Sequence, residues 1–139
     1  MGSATIKHIC TAPLLLALAI GLIACGEEVS TSSFKGEQAE VAKRISDFQS
    51  DATKGETKSI CQNDLTAALR TRLKGSSECE KAIKDQLAEI DTFTLSIESI
   101  AIKGTSASAQ VKSTYSGKTK SHTLELLKEG QNWKISSVS

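Results

Sequence analysis

Apolar residues recur along this chain with two different periods. Over 36–53, Val41, Ile45, Phe48 and Ala52 are spaced by four, three and four, which puts them on one face of a helix. Lys43, Arg44, Asp47 and Asp51 take the other side, and Gly55 ends the pattern. A link over 56–62 carries Ile60 and Cys61. Leu65, Leu69 and Leu73 then mark a second helix over 64–74, with Asn63 as its cap and Gly75 beyond its end. A third helix begins after Ser77, where Glu80 completes a Ser-x-x-Glu capping box; its inner face is Cys79, Ile83, Leu87 and Ile90. Past Asp91 the period falls to two. Phe93, Leu95 and Ile97 alternate, and then the phase slips to Ile100 and Ile102. A one-residue slip turns side chains to the opposite face unless a bulge absorbs it, so a bulge or strand break is predicted near Glu98-Ser99. Gly104-Thr105 turns the chain into a strand bearing Ala107, Ala109, Val111 and Tyr115. Gly117-Lys118 leads to a strand over 119–128 with Leu124 and Leu126 inward. A hairpin over 129–132 leads to a closing strand in which Trp133, Ile135 and Ser137 alternate. Helices followed by an antiparallel meander predict an α+β domain whose helices cover one sheet face.

A different pattern stands in front. Residues 14–25, LLLALAIGLIAC, are small and apolar without interruption, follow a segment whose one cationic side chain is Lys7, and give way at once to Gly26, Glu27 and Glu28. A positive n-region and an apolar h-region of ~7–15 residues closed by small residues make an export signal. Leu22-Ile23-Ala24-Cys25 resembles the lipobox of bacterial lipoproteins. That resemblance implies a signal peptide over 1–24, a diacylglyceryl group on the Cys25 sulfur, and attachment to a membrane outer surface or to the outer membrane of a bacterial envelope. The competing readings are an ordinary cleaved signal and an uncleaved anchor. A spanning helix needs ~20 apolar residues; 9–25 offers 17, broken by Thr11 and Pro13. Residues 25–35, rich in Ser, Thr and Glu, have little apolar surface and read as a flexible tether that reaches at most ~35 Å. The domain is then 36–139.

Charge and cysteine content narrow the class. The chain has 17 basic and 16 acidic residues, and Lys7 is the only charged side chain in the signal. The balanced remainder lacks the basic excess with which nucleic-acid binders meet phosphate. Cys10 leaves with the signal and Cys25 takes the lipid, so Cys61 and Cys79 remain. An even pair in an exported chain reads as a disulfide. Closing a loop of 18 positions stabilises by about 3 kcal/mol on the chain-entropy model. The alternative, a metal site, needs clustered ligands, and His122 is the one histidine outside the signal. No metal or cofactor is expected.

The order of these features carries a resemblance. A long helix, a cysteine, a short leucine helix, a second cysteine opening a third helix, and a meander ending in Gly-x-x-Trp-Lys-Ile resemble the nuclear transport factor 2-like superfamily in its small bacterial lipoprotein branch. The carriers are Cys61, Leu65-Thr66, Leu69, Cys79-Glu80, Ala107, Val111, residues 124–128, Gly130 and Trp133-Lys134-Ile135. The resemblance implies a cone in which a bent sheet wraps the first helix around a cavity, here lined by Ile45, Phe48, Tyr115, Leu124 and Trp133. Some relatives are enzymes, such as ketosteroid isomerase, scytalone dehydratase and polyketide cyclases; many others bind or dimerise.

The enzymes' chemistry requires a carboxylate, histidine or tyrosine inside the cone. Tyr115 shares the phase of Val111, against a tyrosine packed on the core with its hydroxyl at the rim. His122 shares the parity of Leu124 and Leu126, against a solvated histidine at a strand end. Asp91 opens the sheet, against a turn residue. No Asp or Glu falls on the apolar faces of the strands over 107–115 or 133–137, so no buried group of shifted pKa is identified for general acid–base work. The expectation is a membrane-anchored, non-catalytic module that binds a small apolar ligand, a peptide or an envelope protein. The alternatives are an isomerase, dehydratase or hydrolase of the same fold, and a module that homodimerises through its sheet.

Overall fold

The computed structural model describes residues 29–73, 76–89, 93–115 and 117–139. The signal, Cys25, the start of the tether, Gly75, Ile90 and Asp91 lie outside the described residues. Part of the segment expected as tether is not free. Val29 is 5% exposed within the core, and Phe34 packs against that core, because these two apolar side chains find the same interior as the helices.

Helix α1 spans Glu37–Lys54 and buries Val41, Ala42, Ile45, Gln49 and Ala52. Gly55 ends it at φ 72°, a left-handed conformation in which a Cβ is disfavoured. Thr57–Ser59 forms one turn, α2, and the chain then widens into a π-turn over Ile60–Asp64. The helix predicted over 64–74 therefore starts later and is shorter: α3 is Ala67–Arg72. Leu65 leaves the leucine stripe, becomes extended, and pairs parallel with Ile135. Thr66, not Asn63, is the cap, its hydroxyl accepting from the Leu69 N–H at 3.2 Å; Asn63 instead donates to Ser59 Oγ. Helix α4 is Ser76–Leu87, which places Ser77 inside its first turn. Cys61 of the π-turn and Cys79 of α4 form the disulfide, with Cα atoms 6.2 Å apart and both residues fully buried.

The sheet is a meander in the order β1-β2-β3-β4, comprising Phe93–Lys103, Ser106–Tyr115, Lys118–Glu129 and Asn132–Val138. The β1–β2 register shifts between Ile97 and Ser99, so Ile97 opposes Val111 and Ile100 opposes Ala109. The predicted bulge thus keeps both apolar sets inside. A second shift sets Leu126 opposite Ile135 and Glu125 opposite Ser137, which turns Ser137 away from the core face that Trp133 and Ile135 occupy. The outer face is polar, with cross-strand bonds from Ser108 to Glu125, between Gln110 and Thr123, and between Thr114 and Thr119. Side chains and one stretch of backbone also reach the outer strands. Gln38 Nε2 donates to the Ile100 carbonyl, Gln49 Oε1 accepts from the Leu95 N–H, and Thr66 N–H donates to the Ile135 carbonyl at 2.9 Å.

Candidate functional site

The residues expected around an internal cavity are distributed over the core and the sheet. Ile45, Leu124 and Trp133 are buried in the core, and Phe48 meets Phe93 edge-on with ring centroids 6.1 Å apart. Tyr115 is half-buried at the end of β2, with Lys120 Nζ 5.9 Å from its ring centroid. His122, also half-buried, lies opposite Val111. Trp133 borders a small concavity of about 150 Å³ with Glu40, Lys43, Arg44, Asp47, Gln131 and Asn132.

The concentrated chemistry lies on the other flank of α1. A concavity of about 550 Å³ opens between α1, the π-turn and β4. Helix α1 contributes Arg44, Asp47, Ser50, Asp51 and Lys54; α2 contributes Ser59; the π-turn contributes Asn63 and Asp64; β4 contributes Asn132 and Lys134. Asp64 is held there by the π-turn, whose Leu65 N–H reaches back to the Ile60 carbonyl at 3.1 Å. Such wide turns are frequent at functional sites.

Asp64 is the unusual residue. Its side chain is 1% exposed and Arg44's is 17%. Arg44 Nη1 donates to Asp64 Oδ1 at 2.6 Å, and its Nε donates to the Trp133 carbonyl at 2.8 Å. Arg44 Nη1 is also 3.8 Å from Asp47, which Lys43 pairs at 2.7 Å. Asp64 Oδ2 is buried without a hydrogen-bond partner, as is Trp133 Nε1. Burial raises the Asp64 carboxyl from 3.8 to about 6; the hydrogen bond and charge of Arg44 oppose the rise, and the charges of Asp51 and Asp47 add to it. Lys134 Nζ donates to the Gln62 carbonyl at 3.0 Å on the far wall. Among the described residues no group of three or more His, Cys, Asp or Glu is placed to hold a metal ion.

Sequence reading missed this pair. Arg44 was one more charge on a polar helix face, and Asp64 was the first residue of a helix. One signal was present: Asp64 stands four positions after Ile60 and three after Cys61, so a charge sits in phase with buried residues.

The helices, the curved four-stranded meander and this flanking pocket define a small α+β protein of the nuclear transport factor 2-like fold. A crystal structure described as a putative nuclear transport factor 2-like transpeptidase from Campylobacter jejuni matches with TM-score 0.51 and 20% identity, covering 68% of this chain and 95% of that one. A nuclear transport factor 2-like protein of unknown function from Silicibacter pomeroyi matches with TM-score 0.54 and 15% identity over 79% and 96%. A SEC-C motif-containing protein from Rhodopseudomonas palustris matches with TM-score 0.54 and 14% identity over 73% and 76%. No protein with a curated description matches. Residues 47–138 match the family described as "Putative lumazine-binding", and the chain belongs to that family.

Proposed function

We propose that this protein is a lipid-anchored, exported binding module of the bacterial envelope, and that its site is the polar pocket over Asp64. The observation that carries the reading is the half-satisfied carboxylate. A buried charge with an unfilled acceptor costs stability, and groups so perturbed cluster at functional sites. Because charged and hydrogen-bonding side chains line the pocket, the ligand is polar rather than the apolar one expected from the sequence. Lumazine is a candidate on the family's description; with no aromatic side chain on the pocket wall, its N–H and C=O edges would have to supply recognition. The disulfide supports an oxidising compartment, and the apolar run ending in Cys25 supports the anchor. Among the described residues no helix is long and apolar enough to cross a membrane. The raised Asp64 carboxyl favours a second reading, a general acid–base enzyme of the same fold.

The test has two arms. Cell fractionation should find the wild type with membranes and Cys25→Ala released, since two or three acyl chains anchor stably where one does not; equal partition would remove the anchor. Mass spectrometry of the natively purified protein should find a polar small molecule that Asp64→Asn no longer retains. Retention by a folded Asp64→Asn protein would move the site elsewhere, and turnover of the recovered molecule would favour the enzyme.

A further inference from the structure

The pocket's polar groups do not all await a partner. Arg44 is already engaged through Nε with Trp133 and through Nη1 with Asp64. An anionic ligand bonding the remaining N–H groups of Arg44 would sit against the carboxylates of Asp47, Asp51 and Asp64. The orphaned atom is an acceptor, Asp64 Oδ2. Once the side chains that cover this buried atom part, a ligand donor there makes a bond without breaking one, and a cationic donor gains more, because charge-assisted bonds are roughly twice as strong as neutral ones. Asp51 lines the same wall, one helical turn from Asp47.

Resting on the binding reading above, we infer that the pocket takes a small ligand bearing a protonated amine, which donates to Asp64 Oδ2 with Asp51 beside it. The charged groups around Asp64 are Arg44, Asp47, Asp51 and Lys54 on α1 and Lys134 on β4. The two lysines offer a partner for a carboxylate, if the ligand also carries one. The amine requires Asp64 to be ionised. Its binding therefore tightens as pH rises through about 6, where the free protein's carboxyl loses its proton. An anion displacing Asp64 from Arg44 shows the opposite trend, since protonation of Asp64 releases the guanidinium.

The experiment is a titration of the ¹⁵N-labelled full-length chain in detergent with butylamine, 4-aminobutyrate and butyrate at pH 5 and pH 7. Butylamine and 4-aminobutyrate should shift the amides of Asp51, Asn63 and Asp64, with binding about tenfold weaker at pH 5. Tighter binding of 4-aminobutyrate than butylamine places its carboxylate on Lys54 or Lys134. Asp64→Asn should abolish these shifts. Asp51→Asn, a change outside the core, should weaken binding several-fold in a protein whose spectrum is otherwise unchanged. Binding of butyrate alone, or tightening toward pH 5, overturns the amine and keeps the pocket as an anion site. No shift at the pocket with any probe overturns the amine inference. If the copurified molecule also survives Asp64→Asn, the binding reading fails with it.

Discussion

Helix α1 presents two faces that are solved by opposite physics. One buries Val41, Ala42, Ile45 and Ala52 against the sheet, with its polar member Gln49 bonded to the Leu95 N–H. Burying a side chain such as Ile45 contributes ~1.5–3 kcal/mol. The other face sets Arg44 on Asp64, where the desolvation of two charges consumes most of the Coulomb gain. Well-packed apolar side chains of the same volume would serve stability there as well or better. The inner face explains why the fold stands. The outer face is not explained by stability, which is why the functional reading belongs to it.

The contrast is sharpest in a pair of substitutions. Ile45→Ala should cost ~2–5 kcal/mol, equally at pH 5 and pH 7. Arg44→Met should cost ~2–4 kcal/mol at pH 7 and about 1 kcal/mol less at pH 5, where the abandoned carboxylate is relieved by a proton. Urea denaturation at the two pH values measures both; equal pH response in the two variants would erase the distinction between the faces.

Removing the clamp on the turn that carries Asp64 comes next. Cys61→Ser with Cys79→Ser should lower stability by ~2–4 kcal/mol without changing the fold. Hydrogen exchange should rise first over 57–73, while the buried amides of α1 and β1 keep their protection. A uniform rise across both regions would show that the outer flank depends on the inner one.

Asp64→Asn addresses the charge alone. The folded carboxyl holds its proton to about 6 and the unfolded one to about 3.8. The native state therefore binds the extra proton, and this group's contribution to stability falls as pH rises from about 4 through about 6, then levels off. The full drop is up to about 3 kcal/mol. The variant should lack that slope in melting scans taken from pH 4 to pH 7. The smallest effects are expected from Tyr115→Phe and His122→Gln, each within ~0.5 kcal/mol and without influence on ligand retention. A large functional loss in a folded His122 variant would return attention to the sheet.

What could be read from the residues, and what could not, divides along the same line. Alternation marked β1–β4 and located the irregularity, because the slip between Ile97 and Ile100 needs a bulge or a break to keep both inside, and the structure has the register shift there. The cysteine pair was legible for its parity in number. The segment over 60–66 was not. Leu65 fits a leucine stripe with Leu69 and Leu73, and only the arrival of Ile135, 70 positions later, draws it into an extended bridge. The same non-local event leaves Thr66 as the cap and Asp64 facing Arg44. A buried ion pair assembled from a helix, a turn and a distant strand has no period, so no local pattern announces it.

The side chains laid along the outer strands have a consequence for how copies of this chain behave toward one another. A meander has two terminal strands, and each is a template on which another extended chain can polymerise. On β1, Gln38 and Gln49 occupy the Ile100 carbonyl and the Leu95 N–H; on β4, Leu65 and Thr66 occupy Ile135. At each end of the sheet some of the outward backbone groups that a new strand would need are thus already taken, by two glutamines on one side and a short stretch of backbone on the other. Copies of the chain brought close together therefore meet edges on which a ribbon finds fewer free groups to start from.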